Sequence, residues 1–314
     1  MTSHHLAASP ETCHWGIFDA ALPPVLHVQS GDTVTVDTVS GSPEVLPPAG
    51  FDVPPELLEI HARLARNLPG HILTGPMFVE DAEAGDVLEV RILDVSLRQD
   101  WGYNVIRPLS GTIPEDFDAY RHMNIPLDVA RGVAAMPWGI ELPLAPFFGI
   151  LGVAPPPQWG RINTIVPRAH GGNLDNKELR PGASLWLPVH ATGALFSCGD
   201  GHAAQGDGEV CTTAIETAMQ GRFELVLHKD LKLAYPRAET PTHFITMGMH
   251  PDLDRCLEMA LRDMIRLAGE KGGLSREDAY MLCSLAADFR ITQTVNGSRG
   301  VHAMLPKALL GVPS

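Results

Sequence analysis

Val34 and Val36 alternate with Thr33, Thr35 and Asp37, the spacing of a strand with one face buried. A Gly-Asp turn precedes that run at Gly31-Asp32. The arrangement recurs at Gly85-Asp86 followed by 87–93, and more weakly at 181–189, where Leu185, Leu187 and Val189 alternate with their neighbours. Helical spacing is sparser. Over 54–67, Leu57, Leu58, His61, Leu64 and Ala65 share one side, with proline near the start where its missing N–H does no harm. Residues 252–269 carry Leu253, Cys256, Leu257, Ala260, Leu261 and Ile265 on one stripe, and Ser275 with Asp278 caps a further helix over 276–287. The pattern predicts a mainly β fold, made of sandwich or barrel lobes that duplication could have produced. A smaller α-helical section closes the chain, giving α+β overall. Two lobes are expected, 1–165 and 166–314, or one integrated domain in their place.

Residues 101–161 break the pattern. Trp101, Tyr103, Phe117, Tyr120, Trp138, Phe147, Phe148 and Trp159 are scattered among many prolines, which predicts an irregular stretch, one that covers a substrate or contacts a second subunit, or else a wrap over the core. Composition then narrows the class. A net charge of -14, from 37 Asp+Glu against 23 Lys+Arg, repels nucleic acid and anionic membranes and leaves small neutral substrates or cations as partners. The most apolar window, 132–157, contains Glu141 and is broken by Pro137, Pro143, Pro146 and Pro155, so it does not read as a membrane helix. Five cysteines without a Cys-x-x-Cys pair fit reduced thiols in a cytoplasmic protein.

The chemistry concentrates in 197–211. Four glycines bend this stretch, while Asp200, His202, Asp207 and Glu209 supply carboxylate and imidazole donors; strands are expected on either side, at 184–189 and 210–215. In extended backbone, residues two apart share a face, so Asp200 with His202, and Asp207 with Glu209, would form converging pairs. A second donor-rich bend, His170-Gly171-Gly172-Asn173-Leu174-Asp175, lies upstream. One histidine among carboxylates suits a divalent ion, zinc first, with manganese or calcium as alternatives. Asp200, His202 and Asp175 are the candidate ligands, with Glu209, or less strongly Asp207, as general base. Glu216 reads as an outer partner or a surface residue, and His170, His14 and Gln205 as additional contributors. Two rivals stay open: a non-catalytic β-sandwich in which the Gly-Asp pairs are turns around a bound metal or ligand, and an enzyme with Cys198 as a thiol nucleophile.

The stretch Gly199-Asp200-Gly201-His202-Ala203-Ala204-Gln205-Gly206-Asp207-Gly208-Glu209-Val210, followed by Ala214-Ile215-Glu216, resembles the acetamidase/formamidase family. So do Pro23-Pro24-Val25 through Ser30-Gly31-Asp32, Gly75-Pro76-Met77-Phe78-Val79-Glu80, the 170–175 bend, Leu187-Pro188-Val189 and Ala287-Asp288-Phe289-Arg290-Ile291-Thr292-Gln293. The resemblance implies a β-rich, cytosolic homo-oligomer (dimer or higher) that hydrolyses short linear amides to carboxylate and ammonia by metal-activated water. It also implies that Asp200, His202 and Asp175 lie in the metal-containing site, with Glu209 and Glu216 close by. The chain departs from the pattern at Asp81 and Ala84, where glycine and proline are expected; these changes bear on turn geometry.

Overall fold

The strands gather into two large sheets packed face to face; the computed structural model describes residues 1–312. One sheet has nine strands, in the order Ser3–Leu6, Asp32–Asp37, Met219–His228, Val87–Leu97, Ser184–Pro188, Arg237–Glu239, His243–His250, Arg299–Pro306 and Asp288–Gln293. The other has eleven and is organised around Phe196–His202, a strand buried along its whole length. Both sheets contain strands from both sides of residue 165.

The inward faces of the two sheets make the main core. Val34, Val36, Val90, Ile92, Leu185 and Phe223 come from the first sheet; Met77, Phe148, Leu151 and Phe196 come from the second. Phe223 meets Phe148 and Phe196 edge to face across the interface, at 5.5 and 6.0 Å between centroids. Each such side chain adds about 1.5–3 kcal/mol of burial, so the alternation read at 33–37, 87–93 and 184–188 marks the inner face of one sheet.

The helices fall close to their predicted places. Leu253–Gly272 is capped by Asp252, whose carboxylate accepts from the Asp254 and Arg255 amides, and ends on Gly273 in the left-handed region. It buries Cys256, Ala260, Met264 and Leu267 against His243–His250 and Arg299–Pro306. Arg276–Ala286 starts at Ser275 as expected, and the early helix runs Pro55–Arg63. Asp81 has φ 63°. An aspartate there occupies the left-handed turn geometry for which glycine was expected. Among the described residues, no helix is long and apolar enough to cross a membrane.

Two sequence expectations need correction. Residues 101–161 are not an irregular wrap. They contribute Trp101–Ile106, Arg121–Asp128, Val133–Ala135, Glu141–Pro143 and Phe147–Gly152 to the eleven-stranded sheet. Prolines sit there at strand ends and towards the edge, where a missing N–H breaks few ladder bonds. Nor is 210–215 a strand. Thr212 has φ 80°, and the Asn104 amide donates to the Thr213 and Ala214 carbonyls, so side-chain bonds replace a ladder.

Candidate active site

Strand pairing assembles the site before any loop does. Phe196–His202 runs antiparallel to Phe147–Gly152 on one side and to Glu216–Thr217 on the other, with Phe147 opposite His202 and His202 opposite Glu216. Glu216 in turn pairs with Tyr103. A row Phe147–His202–Glu216–Tyr103 therefore crosses four strands, with directly opposed side chains in contact range. The Phe147 ring stands edge-on to the His202 imidazole at 5.1 Å and closes that end.

Asp200 joins this row through an unusual backbone. Its φ is 58°, so the pairing with His202 is not the simple pleat that two-residue spacing suggested. Even so, Asp200 Oδ2 lies 3.5 Å from His202 Nε2, while Glu216 Oε2 lies 3.3 Å from the same nitrogen. Asp175 and Glu209 are also left-handed, at φ 50° and 44°. Such conformations cost about 1–3 kcal/mol each away from glycine and collect where function holds them. Asp175 follows the short strand Gly171–Asn173; its amide donates to the Gly149 carbonyl, and its carboxylate accepts from the Asn296 amide.

The carboxylates converge over Gly149. The flanking pairs Phe148↔Gly201 and Ile150↔Gly199 set Gly149 against Asp200. A Cβ at that position would stand 2.5 Å from Asp175 Oδ1, 2.7 Å from Asp200 Oδ2 and 2.7 Å from His202 Cε1. Only glycine leaves room for the cluster.

The ring of His202 has a defined orientation. Gln205 donates its amide N–H to the Asp175 carbonyl, so its oxygen, 2.9 Å from His202 Nδ1, accepts the ring N–H. That leaves Nε2 with a lone pair aimed at two carboxylates in a fully buried position. Lone pair against anion is repulsive, so a positive charge belongs between them, either a proton on Nε2 or a metal ion. Four buried atoms without hydrogen-bond partners surround this point: His202 Nε2, Asp175 Oδ1, Glu209 Oε2 and Glu216 Oε2. Asp175, Asp200 and His202 form one set with ligand atoms mutually within 4.8 Å, and His202, Glu209 and Glu216 form a second. The donors fit a divalent ion.

Proton affinities reflect the crowding. Burial would lower His202, but Glu216 and Asp200 outweigh it and raise the imidazole well above its ordinary value. Burial, then Asp175, push Glu209 well above the usual carboxylate range, and burial takes Glu216 to about 7. Asp200 goes the other way: burial would raise it, yet His71 and His202 hold it below the usual range.

The remaining sequence candidates are placed as follows. Asp207 lies outside the cluster, exposed and paired with Lys177 at 2.9 Å, because 206–208 turns outward before Glu209 turns back. Its expected convergence with Glu209 does not occur. Gln205 orients His202 instead of facing outward as a ligand. His170 is buried edge-on to Phe18 at 4.9 Å, and burial drops its pKa to about 3; it is outside both ligand sets. His14 contacts Ser197 Oγ at 3.0 Å and is likewise apart from the cluster. Cys198 is fully buried in the inter-sheet core and outside the cavity lining; burial raises its thiol far from thiolate.

Sequence reasoning missed four participants. His71 Nε2 stands 3.7 Å from Asp200 Oδ1 at the cavity wall, and Tyr103, Asn296 and Gly149 complete the surround. Gln293 accepts from the Val295 and Asn296 amides and so shapes the loop that carries Asn296. Only Gly149 had a legible signal, a glycine inside an apolar strand run, which marks close approach.

The model of the Acetamidase/Formamidase family matches residues 3–161 and 158–310, nearly the whole chain. The chain belongs to the acetamidase/formamidase family. The acetamidase of Mycolicibacterium smegmatis is 27% identical over 205 residues, covering 45% of this chain and 49% of that protein. The formamidase of Methylophilus methylotrophus is 27% identical over 219 residues, covering 52% and 51%. The matches thus span about half the length of these curated relatives. Two solved acetamidases of the family are similar along their whole length. That of Bacillus halodurans is 30% identical with TM-score 0.84, covering 98% of each chain; that of Yersinia enterocolitica is 31% identical with TM-score 0.86, covering 98% and 93%.

Proposed function

We propose that this protein hydrolyses a short linear amide to a carboxylate and ammonia, using a divalent ion held by Asp175, Asp200, His202 and Glu216. One observation carries the reading: unpartnered, fully buried oxygen and nitrogen atoms face each other around His202 Nε2, at the base of an open cavity. A bound divalent ion there lowers the pKa of water towards neutrality and polarises a carbonyl. Imidazole with carboxylates favours zinc among the candidates.

The chain's own groups do the rest. Gln205 fixes the His202 ring, Asn296 fixes Asp175, and the Ala214 amide donates to Glu216 Oε1 at 3.0 Å, so the ligand atoms are aimed before anything binds. Glu209 lines the cavity with one carboxylate oxygen free. It takes a proton from the attacking water as the water oxygen bonds to the amide carbon. It then returns that proton to the nitrogen as the C–N bond breaks. Tyr103, whose phenol is pushed far up by burial and by Glu216, stays an O–H donor at the cavity wall.

Elemental analysis together with an amide panel tests the reading. Purified protein should hold a divalent ion in near-integral ratio and release ammonia from acetamide or formamide. Activity should vanish on chelation and return with zinc or manganese. Metal-replete protein that releases ammonia from no short amide would defeat the proposal. The thiol alternative, which requires activity to be lost with Cys198, is tested separately. Cys198→Ala should keep hydrolysis within about twofold of wild type and lower unfolding free energy by roughly 1–2 kcal/mol through a small core void.

A further inference from the structure

The cavity above the cluster is much larger than acetamide needs. Its volume of about 320 Å³ corresponds to about ten water molecules in the liquid. Its lining is sorted by charge. The acidic residues, Asp200, Glu209 and Glu216, are all buried at the base, whereas Arg66 and Arg107 are exposed at the outer wall. Apolar Trp15, Val39 and Ile165 line the space together with several hydroxyls.

Both guanidiniums are available. Nearby Arg63 pairs with Glu11 and Arg98 with Glu56, but Arg66 and Arg107 make no ion pair among the described residues. Arg66 rests over the Trp15 ring at 5.7 Å, which holds the group by its face and leaves its N–H edges free. Glu44 feels the Arg66 charge without pairing with it. Arg107 is within electrostatic reach of Tyr103 on the same cavity wall. In a chain of net charge -14, two exposed arginines lining the same pocket are a local reversal of sign.

We propose that the natural substrate is an amide carrying a carboxylate at its far end, with Arg107 and Arg66 binding that carboxylate while the amide reaches the acidic base. This inference rests on the amide-hydrolysis reading and names the substrate class for it. Guanidinium and carboxylate match as forked donor and acceptor, which a neutral methyl or ethyl tail does not exploit.

The test compares two amides of equal chain length, butyramide and succinamate, in the metal-loaded protein. The expected result is a kcat/KM for succinamate at least about tenfold above that for butyramide, the size of one charge-assisted contact. The preference should shrink as ionic strength rises. In Arg66→Gln/Arg107→Gln, both positions being exposed, the ratio of the two values should fall towards one while the far-ultraviolet dichroism stays unchanged. Equal kcat/KM for the two amides in wild type, or a ratio untouched by the double substitution, overturns the inference. Hydrolysis of acetamide or formamide but of neither four-carbon amide overturns the inference alone; should none of the four be hydrolysed, the amide reading itself fails, and calorimetric titration with succinate decides the remainder. Binding that is lost in the double variant upholds the arginine site, and no binding to wild type overturns it.

Discussion

Gly149→Ala is expected to release the divalent ion and lower kcat/KM for amide hydrolysis by at least about 100-fold, the cost of displacing catalytic groups by about 1 Å. The added methyl would sit 2.5 Å from Asp175 Oδ1 and 2.7 Å from Asp200 Oδ2, closer than any real Cβ contact. Neither carboxylate has an easy retreat. Asn296 and the Gly149 carbonyl hold Asp175 from two directions, while Asp200 is buried in a central strand. Gly149 itself lies in extended backbone, outside the positive-φ residues, so alanine brings no conformational penalty of its own. The protein should therefore stay folded, with a cooperative unfolding transition, and fail at the site alone. Metal content by elemental analysis and initial rates by ammonia release check this together. A Gly149→Ala protein with full metal and wild-type turnover would mean that the carboxylates do not converge there.

Glu209→Gln should lower kcat by about 10²–10⁴-fold, the usual weight of a positioned proton-transfer group, with metal content preserved and KM little changed. Glutamine has the same shape but cannot carry the proton. Burial and Asp175 raise the proton affinity of Glu209, which makes its carboxylate a stronger base towards water once a cation bound beside it keeps it ionised. Asp207→Asn is the internal comparison. Asp207 faces solvent and Lys177, and the same loss of one negative charge two residues away should change kcat by less than about threefold. Similar losses at both positions would show that general electrostatics, and not proton transfer by Glu209, sets the rate.

The contrast between Glu209 and Asp207 also marks how far local reading goes. Alternation at Val34 and Val36, and at Leu185 and Leu187, was enough to identify the inner face of a sheet, because in-out alternation is a property of the strand itself. The stripe of Leu253, Cys256, Ala260, Leu261 and Ile265 specified a helix for the same local reason. The density of donors between Asp200 and Glu209 marked the site region, since that many acids beside one histidine is costly in a core without a purpose.

Roles within the region were another matter. Asp207 and Glu209 are alike in residue spacing and type, and only the turn through 206–209, with Glu209 in a left-handed conformation, sends one outward and the other in. Glu216 was readable as an outer partner or a surface residue; the register that sets it opposite His202 brings it to 3.3 Å of the imidazole nitrogen. His71, Tyr103, Gly149 and Asn296 reach the site from four distant parts of the chain. Nothing in the neighbours of each predicts that meeting. A strand declares by itself which side it buries, because that depends on successive residues. Which residues then face one another depends on pairing between strands far apart in the chain, and that is settled only when both sheets are packed.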